Sequence, residues 1–230
     1  MKKIGLLLIM LFAFSVINLF GQSDNVEEPN VEPKGGKEIE IPLGDIKKLH
    51  DLAKNAPDID TRIKAIQQLA NLKKPESVQA LIDILEEPYK NVYAYGDKQM
   101  QENWKVRVSA ARAIRAYAGD KEVTRKVYMP LTKVMVYDPE ERVKGECALT
   151  LGIIGRDADP DVKERIADEL ITKLNHTPVN KNLLALMLVK ALGRLGHPKA
   201  LVHLIAVTQK GYLRVVKEEA KKSIEMLQNS

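Results

Sequence analysis

Cysteine is almost absent from this chain, in which Cys147 is the only one among 230 residues. A single cysteine cannot form an internal disulfide, so the fold has to be stabilised by its core alone. We expect Cys147 to act as a small buried apolar residue on a helix. Phenylalanine is also rare: the chain has three, Phe12, Phe14 and Phe20, and all of them lie in one N-terminal apolar run.

Sequence motifs of common enzyme classes are missing as well. The chain has no P-loop, no Gly-x-Ser-x-Gly elbow and no dinucleotide-binding fingerprint. It has four histidines, and His197 and His203 lack the three- or four-residue spacing that places two ligands on one helical face. We therefore predict a non-enzymatic protein with no catalytic residues, no metal site and no cofactor.

The first 22 residues have the layout of a secretory signal peptide. Lys2 and Lys3 precede the apolar run Ile4–Phe20, and small and polar residues follow at Gly21-Gln22-Ser23. The run is short for a membrane span, which needs about 20 apolar residues. We predict cleavage near Gly21 or Gln22 and export to the periplasm; an uncleaved anchor is the alternative.

Residues 23–40 form a predicted flexible acidic tether. Acidic residues outnumber lysines here, and the stretch also holds two prolines and a Gly-Gly pair. The net positive charge of the chain, +5 overall, therefore lies after residue 40. This charge is mild and is spread over the whole of residues 41–230, which favours a solvated surface over nucleic-acid binding. Residues 41–230 are enough for one elongated domain.

A repeated two-helix pattern organises residues 41–230. The segment Asp138–Asp159 has a capping aspartate, Pro139, an arginine four positions after the cap and an apolar run at helical spacing that ends at Gly155. The Asx-to-Arg spacing recurs at Asp58/Arg62, Asn103/Arg107 and Asp138/Arg142. Turns near Lys73, Gly119, Gly155 and Gly196 recur about every 40 residues, a period typical of stacked helical hairpins.

Amphipathic partner helices are predicted between these segments. Their predicted bounds are Leu43–Lys54, Ser77–Glu86, Glu122–Val136, Asp161–Asn175, Lys199–Gln209 and Leu213–Gln228. The first and last of them have one strongly polar face, as the ends of a soluble stacked array require. The sequence therefore predicts an all-α array of about five hairpins, or ten helices.

The Asp-Pro-x-x-Arg-Val start of the Asp138 segment and the Leu-Gly-x-x-Gly exits resemble HEAT-like repeats. The likeness covers roughly residues 43–228 and is closest to the short repeats first associated with phycobilin lyases. It implies a right-handed α-solenoid in which Asp and Arg side chains of successive repeats form a structural ladder. By this resemblance the ladder residues are Asp58, Arg62, Asn103, Arg107, Asp138 and Arg142. The fourth repeat has Thr177 at the expected cap and no arginine, so the ladder should end there.

The insertion 87–103 lengthens the second hairpin beyond what the repeat needs. It carries Tyr89, Tyr93 and Tyr95, with Trp104 at its exit. Insertions in repeat proteins gather on one face, and Tyr and Trp are favoured interface anchors. The insertion is therefore a candidate partner-binding loop; alternatively, its rings pack back against the array.

The predicted helix Lys181–Leu195 carries the second candidate site. Leu183, Met187, Lys190 and Arg194 share one helical face. In HEAT-like arrays the second helix of each hairpin lines the concave surface, so this face would be an apolar patch beside cations. The alternative is that neighbouring helices bury it on nearly all sides.

These features favour a non-catalytic scaffold or adaptor of a cell-envelope assembly. Its predicted partner is a protein with acidic and apolar surface, with no nucleic acid, and with membrane contact only through an uncleaved signal segment. An enzyme subunit or lyase-type cofactor chaperone is one alternative, although no convergent polar pocket is recognisable. A structural component that assembles into homo-oligomers is the other.

Overall fold

The computed structural model describes residues 41–90 and 103–229, with the side chains of residues 87–90 left out. Within these ranges the chain is all-helical and contains no strand. The predicted signal peptide, the tether and residues Tyr93 and Tyr95 of the insertion lie outside the described residues. None of the described helices combines the length and apolar character that a membrane span requires.

The described residues form ten α-helices and one short 3-10 helix. The α-helices are α1 (Ile46–Asn55), α2 (Ile59–Leu72), α3 (Pro75–Lys90), α4 (Trp104–Ala113), α5 (Lys121–Tyr137), α6 (Glu141–Ile154), α7 (Pro160–Asn175), α8 (Asn182–Leu195), α9 (Ala200–Gln209) and α10 (Arg214–Gln228). The 3-10 helix, Ile114–Tyr117, continues α4.

Consecutive helices pair into five hairpins, and the hairpins stack in two layers. Layer A contains α1, α3, α5, α7 and α9, and layer B contains α2, α4, α6, α8 and α10. Each helix contacts its hairpin partner and also the next helix of its own layer. This contact pattern is that of an α-solenoid, and it confirms the predicted all-α repeat architecture.

The two layers are held together by one continuous aliphatic core. Buried Leu, Ile, Val and Ala side chains of all five hairpins form a single cluster, to which Cys147 also belongs. Fully burying one such large aliphatic side chain contributes about 1.5–3 kcal/mol. Cys147 is 0% exposed, as the sequence predicted.

Glycine residues allow neighbouring helices of layer B to pack closely against each other. A Cβ added at Gly152 of α6 would lie 2.3 Å from the carbonyl oxygen of Ala191 on α8, and one added at Gly193 would lie 2.5 Å from Ser223 Oγ on α10. Only glycine permits backbones to come this close. In layer A, by contrast, surface ion pairs bridge successive helices, as between Lys199 and both Glu164 and Asp168.

Two predicted helix caps, Asp138 and Thr177, are wrong. Helix α6 begins at Glu141 with Glu140 at the cap, whereas Asp138 is 0% exposed and binds Arg107. Asp138 forms a buried ion pair with Arg107 instead of capping the helix, so the tertiary contact overrides its local capping preference. Helix α8 is preceded by Lys181, and Thr177 instead lies two residues after the end of α7, where its hydroxyl donates to the Lys173 carbonyl.

The predicted boundary of the insertion is also displaced. Helix α3 was expected to end at Glu86, but it continues to Lys90 and so includes the backbone of Tyr89. The side chain of Tyr89 lies outside the described residues.

Candidate binding face

The predicted ladder residues lie at successive hairpin junctions. Arg62 donates to the Asn103 side chain at 3.2 Å and to the Ala56 carbonyl at 2.6 Å. Arg107 donates to both carboxylate oxygens of Asp138, at 2.7 and 3.1 Å. The structure therefore brings these residues together across repeats. Asp58 instead caps α2, where it accepts from the backbone N–H of Thr61.

Arg142, the last predicted ladder residue, contacts an aromatic ring of the preceding hairpin. Its guanidinium lies 4.7 Å from the centroid of the Trp104 ring, and Lys105 Nζ lies 5.8 Å from the same centroid. A cation over an indole face contributes about 0.5–1 kcal/mol at exposed sites. Trp104, at the exit of the insertion, is half-buried and packs against the core, so its ring is already partly occupied within the chain.

Helix α8 exposes the face that the sequence singled out. Leu183 is 45% exposed and Arg194 is exposed, whereas Met187 and Lys190 are half-buried. Met187 leans toward α6, since a Cβ added at Gly145 would lie 2.9 Å from its Cγ. This face of α8 is therefore open to solvent at both ends. The other sides of α8, the most apolar helix of layer B, are buried.

A cluster of arginines lies beside this face, on α4 and the 3-10 helix that follows it. Arg112 donates to Glu146 of α6 through two hydrogen bonds of 3.2 Å, and Arg115 also pairs with Glu146. Arg115 Nε donates to the Thr150 hydroxyl at 3.0 Å. We call Arg112, Arg115 and Glu146 the arginine cluster. Sequence reasoning missed Glu146, although a charged residue in the middle of an apolar helical run was the available signal.

Charge at the arginine cluster is unbalanced. Glu146 is 6% exposed and neutralises one of the two guanidinium groups. Burial lowers the pKa of Arg115, Glu146 raises it, and the positive charges of Arg112 and Arg194 lower it further. The charge of Arg194 on α8 therefore reaches Arg115 on the far side of α6. We call the surface formed by the arginine cluster together with Leu183, Met187, Lys190 and Arg194 the B-layer face.

An exposed apolar edge adjoins the N-terminal end of α8. Two hydrogen bonds join the α7–α8 loop to the α9–α10 loop: Tyr212 Oη donates to the Thr177 carbonyl at 2.7 Å, and Leu213 N donates to Asn182 Oδ1 at 2.8 Å. Four large apolar residues of these loops and helix starts are 45–59% exposed, namely Val179, Leu183, Leu213 and Val215. Sequence reasoning identified the buried stripe of α10 but missed this edge, whose signal was the Val215-Val216 pair.

The remaining titratable groups offer little converging chemistry. Among the described residues no group of three or more His, Cys, Asp or Glu is placed to hold a metal ion. Two open surface depressions, of about 610 and 470 Å³, are lined mainly by charged side chains of α1 in one case and of α5 in the other.

Burial raises the pKa of the Cys147 thiol well above its usual range, and the nearby Asp138 and Glu146 raise it further, which disfavours the reactive thiolate.

Comparison with known protein families identifies the repeat. Residues 61–87 match the family model of the PBS lyase HEAT-like repeat. The match begins inside α2, crosses the turn at Lys73 and covers most of α3, so it falls on the junction between two hairpins. No curated protein matches the chain. The match supports the predicted HEAT-like repeat and identifies a helical repeat scaffold.

Proposed function

We propose that this chain is an exported, non-catalytic scaffold of HEAT-like repeats that binds a protein partner through its B-layer face. The observation that carries the proposal is Leu183, which is 45% exposed on a helix whose same face ends in the exposed Arg194. Apolar side chains exposed beside cations are typical of protein-binding surfaces. Stacked hairpins hold these side chains on a rigid frame, so binding does not require the chain to fold further.

Site-specific photocrosslinking in intact cells tests the binding face. A photoreactive amino acid is placed at Leu183 in one variant and at Val202 of layer A in the other. Val202 is a matched control, since it is apolar and 65% exposed. We expect a discrete crosslinked species from position 183 and none from position 202. Equal crosslinking at both positions, or none at 183, contradicts the proposed face.

The insertion supplies a second proposed contact with the partner. Its tyrosines Tyr93 and Tyr95 lie outside the described residues, while Trp104 is half-buried at the start of α4. Affinity capture from envelope extracts is compared between the unmodified chain and a variant with Tyr93→Ala, Tyr95→Ala and Trp104→Ala. We expect the variant to lose partners. Identical partner sets would exclude the insertion as a binding site.

Export is tested independently of binding. Residues 1–40, fused to an alkaline phosphatase that is active only outside the cytoplasm, are expected to yield activity because of the Lys2-Lys3 start and the apolar run Ile4–Phe20. Replacing Leu8 with Arg interrupts the run and should abolish that activity. Phosphatase activity that survives the Leu8→Arg change would argue against a signal peptide.

A further inference from the structure

The arginine cluster contains two positive charges and only one negative charge, that of Glu146, which already pairs with both arginines. Arg112 donates to Oε1 and Oε2 of Glu146, and Arg115 pairs with Oε1 of the same carboxylate. Glu146 is the only carboxylate that pairs with either arginine among the described residues. Arg115 is also largely shielded from water, with its side chain 21% exposed. A positive excess in a partly dehydrated position favours the binding of an added anion.

Packing of α6 against α8 places Arg194 beside this excess. Gly152 of α6 touches the backbone of Ala191, and Arg194 follows Ala191 by three residues on α8. Thr150, two residues before Gly152, accepts the hydrogen bond from Arg115 Nε. No hydrogen bond or ion pair of Arg194 or Lys190 is found within the described ranges. Burial is the main cause of the lowered pKa of Arg115, and the positive charge of Arg194 lowers it slightly further, which agrees with this placement.

We propose that Arg115 and Arg194 together receive a carboxylate of the partner, so that the docked segment is an acidic, apolar helix of a protein. This inference rests on the proposed function and specifies its chemistry. Arginine forks suit bidentate recognition of planar carboxylates. Met187 and Arg194 lie about 10 Å apart along α8, about two turns of a helix. A partner helix with apolar residues one to two turns from an acidic residue therefore matches both Met187 and Arg194.

Fluorescence anisotropy with a defined peptide tests the carboxylate site on the purified protein. The probe is a labelled amphipathic helical peptide with two leucines one turn apart, followed by two glutamates one turn apart. A second peptide has glutamine in place of both glutamates. We expect the acidic peptide to bind about tenfold more tightly at low salt, equivalent to about 1.4 kcal/mol. Equal affinities overturn the inference. Displacement by inorganic phosphate that is far stronger than by acetate would assign the site to a phosphoryl group instead.

A charge reversal at Arg194 separates binding from folding. Arg194→Glu places a carboxylate next to Arg115, so the thermal midpoint of the variant should equal or exceed that of the unmodified chain, while its preference for the acidic peptide disappears. Lys126→Glu on α5 makes the same change in net charge at an exposed position of layer A. Lys126→Glu should keep the preference. Loss of preference in both variants would reduce the effect to overall charge, and retention in Arg194→Glu would exclude the site.

The two proposals fail in different ways. If position 183 crosslinks a partner in cells but the acidic peptide shows no advantage, the B-layer face stands and the carboxylate site is wrong. If position 183 does not crosslink, the proposed function fails irrespective of the peptide result. A third outcome is that the acidic peptide binds in a manner that depends on Arg194, while position 183 gives no crosslink. This outcome would support the anion site but would exclude the B-layer face as the surface that contacts the partner in cells.

Discussion

Arg107 and Asp138 form a buried ion pair across 31 residues of sequence, with side chains 1% and 0% exposed. Arg107 lies on α4 of the second hairpin, and Asp138 lies between α5 and α6 of the third. Asp138 also accepts the backbone N–H of Glu140 at 2.8 Å, which orients the start of α6. The pair therefore fixes the register of two successive hairpins as well as the local turn.

The Arg107–Asp138 pair predicts strong coupling between two substitutions. Arg107→Met alone removes the arginine that pairs with the buried carboxylate of Asp138 and should lower the free energy of unfolding by about 3–5 kcal/mol. The double variant Arg107→Met, Asp138→Leu should lose less than the sum of the single changes, because no charge is left buried. Urea denaturation followed by circular dichroism measures each free energy.

An exposed pair serves as the control for this cycle. Arg125 and Asp159 join α5 to α7 at 2.7 Å, but both side chains contact solvent. Arg125→Met should therefore cost no more than about 1 kcal/mol. Additive effects at Arg107 and Asp138, or equal losses at the buried and exposed pairs, would contradict the role given to the buried pair.

Glycine positions in layer B predict a graded series of alanine substitutions. Gly152→Ala forces a Cβ to within 2.3 Å of a backbone oxygen, which cannot move without shifting α8, so we expect a loss of about 1–3 kcal/mol or more. Gly145→Ala meets the flexible Met187 side chain at 2.9 Å and should cost less. Gly211→Ala meets nothing within 4 Å and should be neutral. Thermal midpoints that do not follow this order would refute close helix approach in layer B.

Cys147 should be inert in the folded chain. Its side chain is 0% exposed, and burial raises the pKa of the thiol well above its usual range. Reaction with a thiol reagent at mildly alkaline pH should therefore occur only through unfolding, and urea should accelerate it by orders of magnitude. A Cys147→Ala, Val202→Cys variant, whose thiol lies on an exposed position, should react at the rate of a free thiol. Fast native labelling of Cys147 would contradict its burial.

Periodicity made the helices predictable, because a buried helical face repeats the same spacing wherever it occurs. The predicted helix Asp161–Asn175, for example, differs from α7 by one residue. The cap at Asp138 was mispredicted because its partner, Arg107, is remote in sequence. Capping preferences consider only residues close in sequence, so they cannot predict that Asp138 forms a buried ion pair instead of a helix cap.

The candidate site was harder to predict, for a related reason. The helical face of Leu183 and Arg194 followed from spacing along one helix. Glu146 acquires its role only when α4 and α6 lie side by side, and the apolar edge forms only because two loops meet through Asn182 and Leu213. Both features depend on contacts between hairpins, which a single helix does not encode.

Acid should weaken the layer A bridge at Asp159, and the sign of the effect is fixed by its pKa. Hydrogen bonds from Arg125 and, to a smaller extent, Lys121 hold the pKa of Asp159 below its usual 3.8. As pH falls toward 3.8 the unfolded chain takes up a proton at this carboxyl before the folded chain does, so the stabilisation is present above 3.8 and is lost as pH falls through the folded pKa. Asp159→Asn should therefore be less stable than the unmodified chain at neutral pH, and the difference in unfolding free energy should disappear in acid. Because the pair is exposed, about 1 M salt should reduce the difference at neutral pH as well. A difference that is constant across pH and salt would show that the loss does not come from the charge of Asp159.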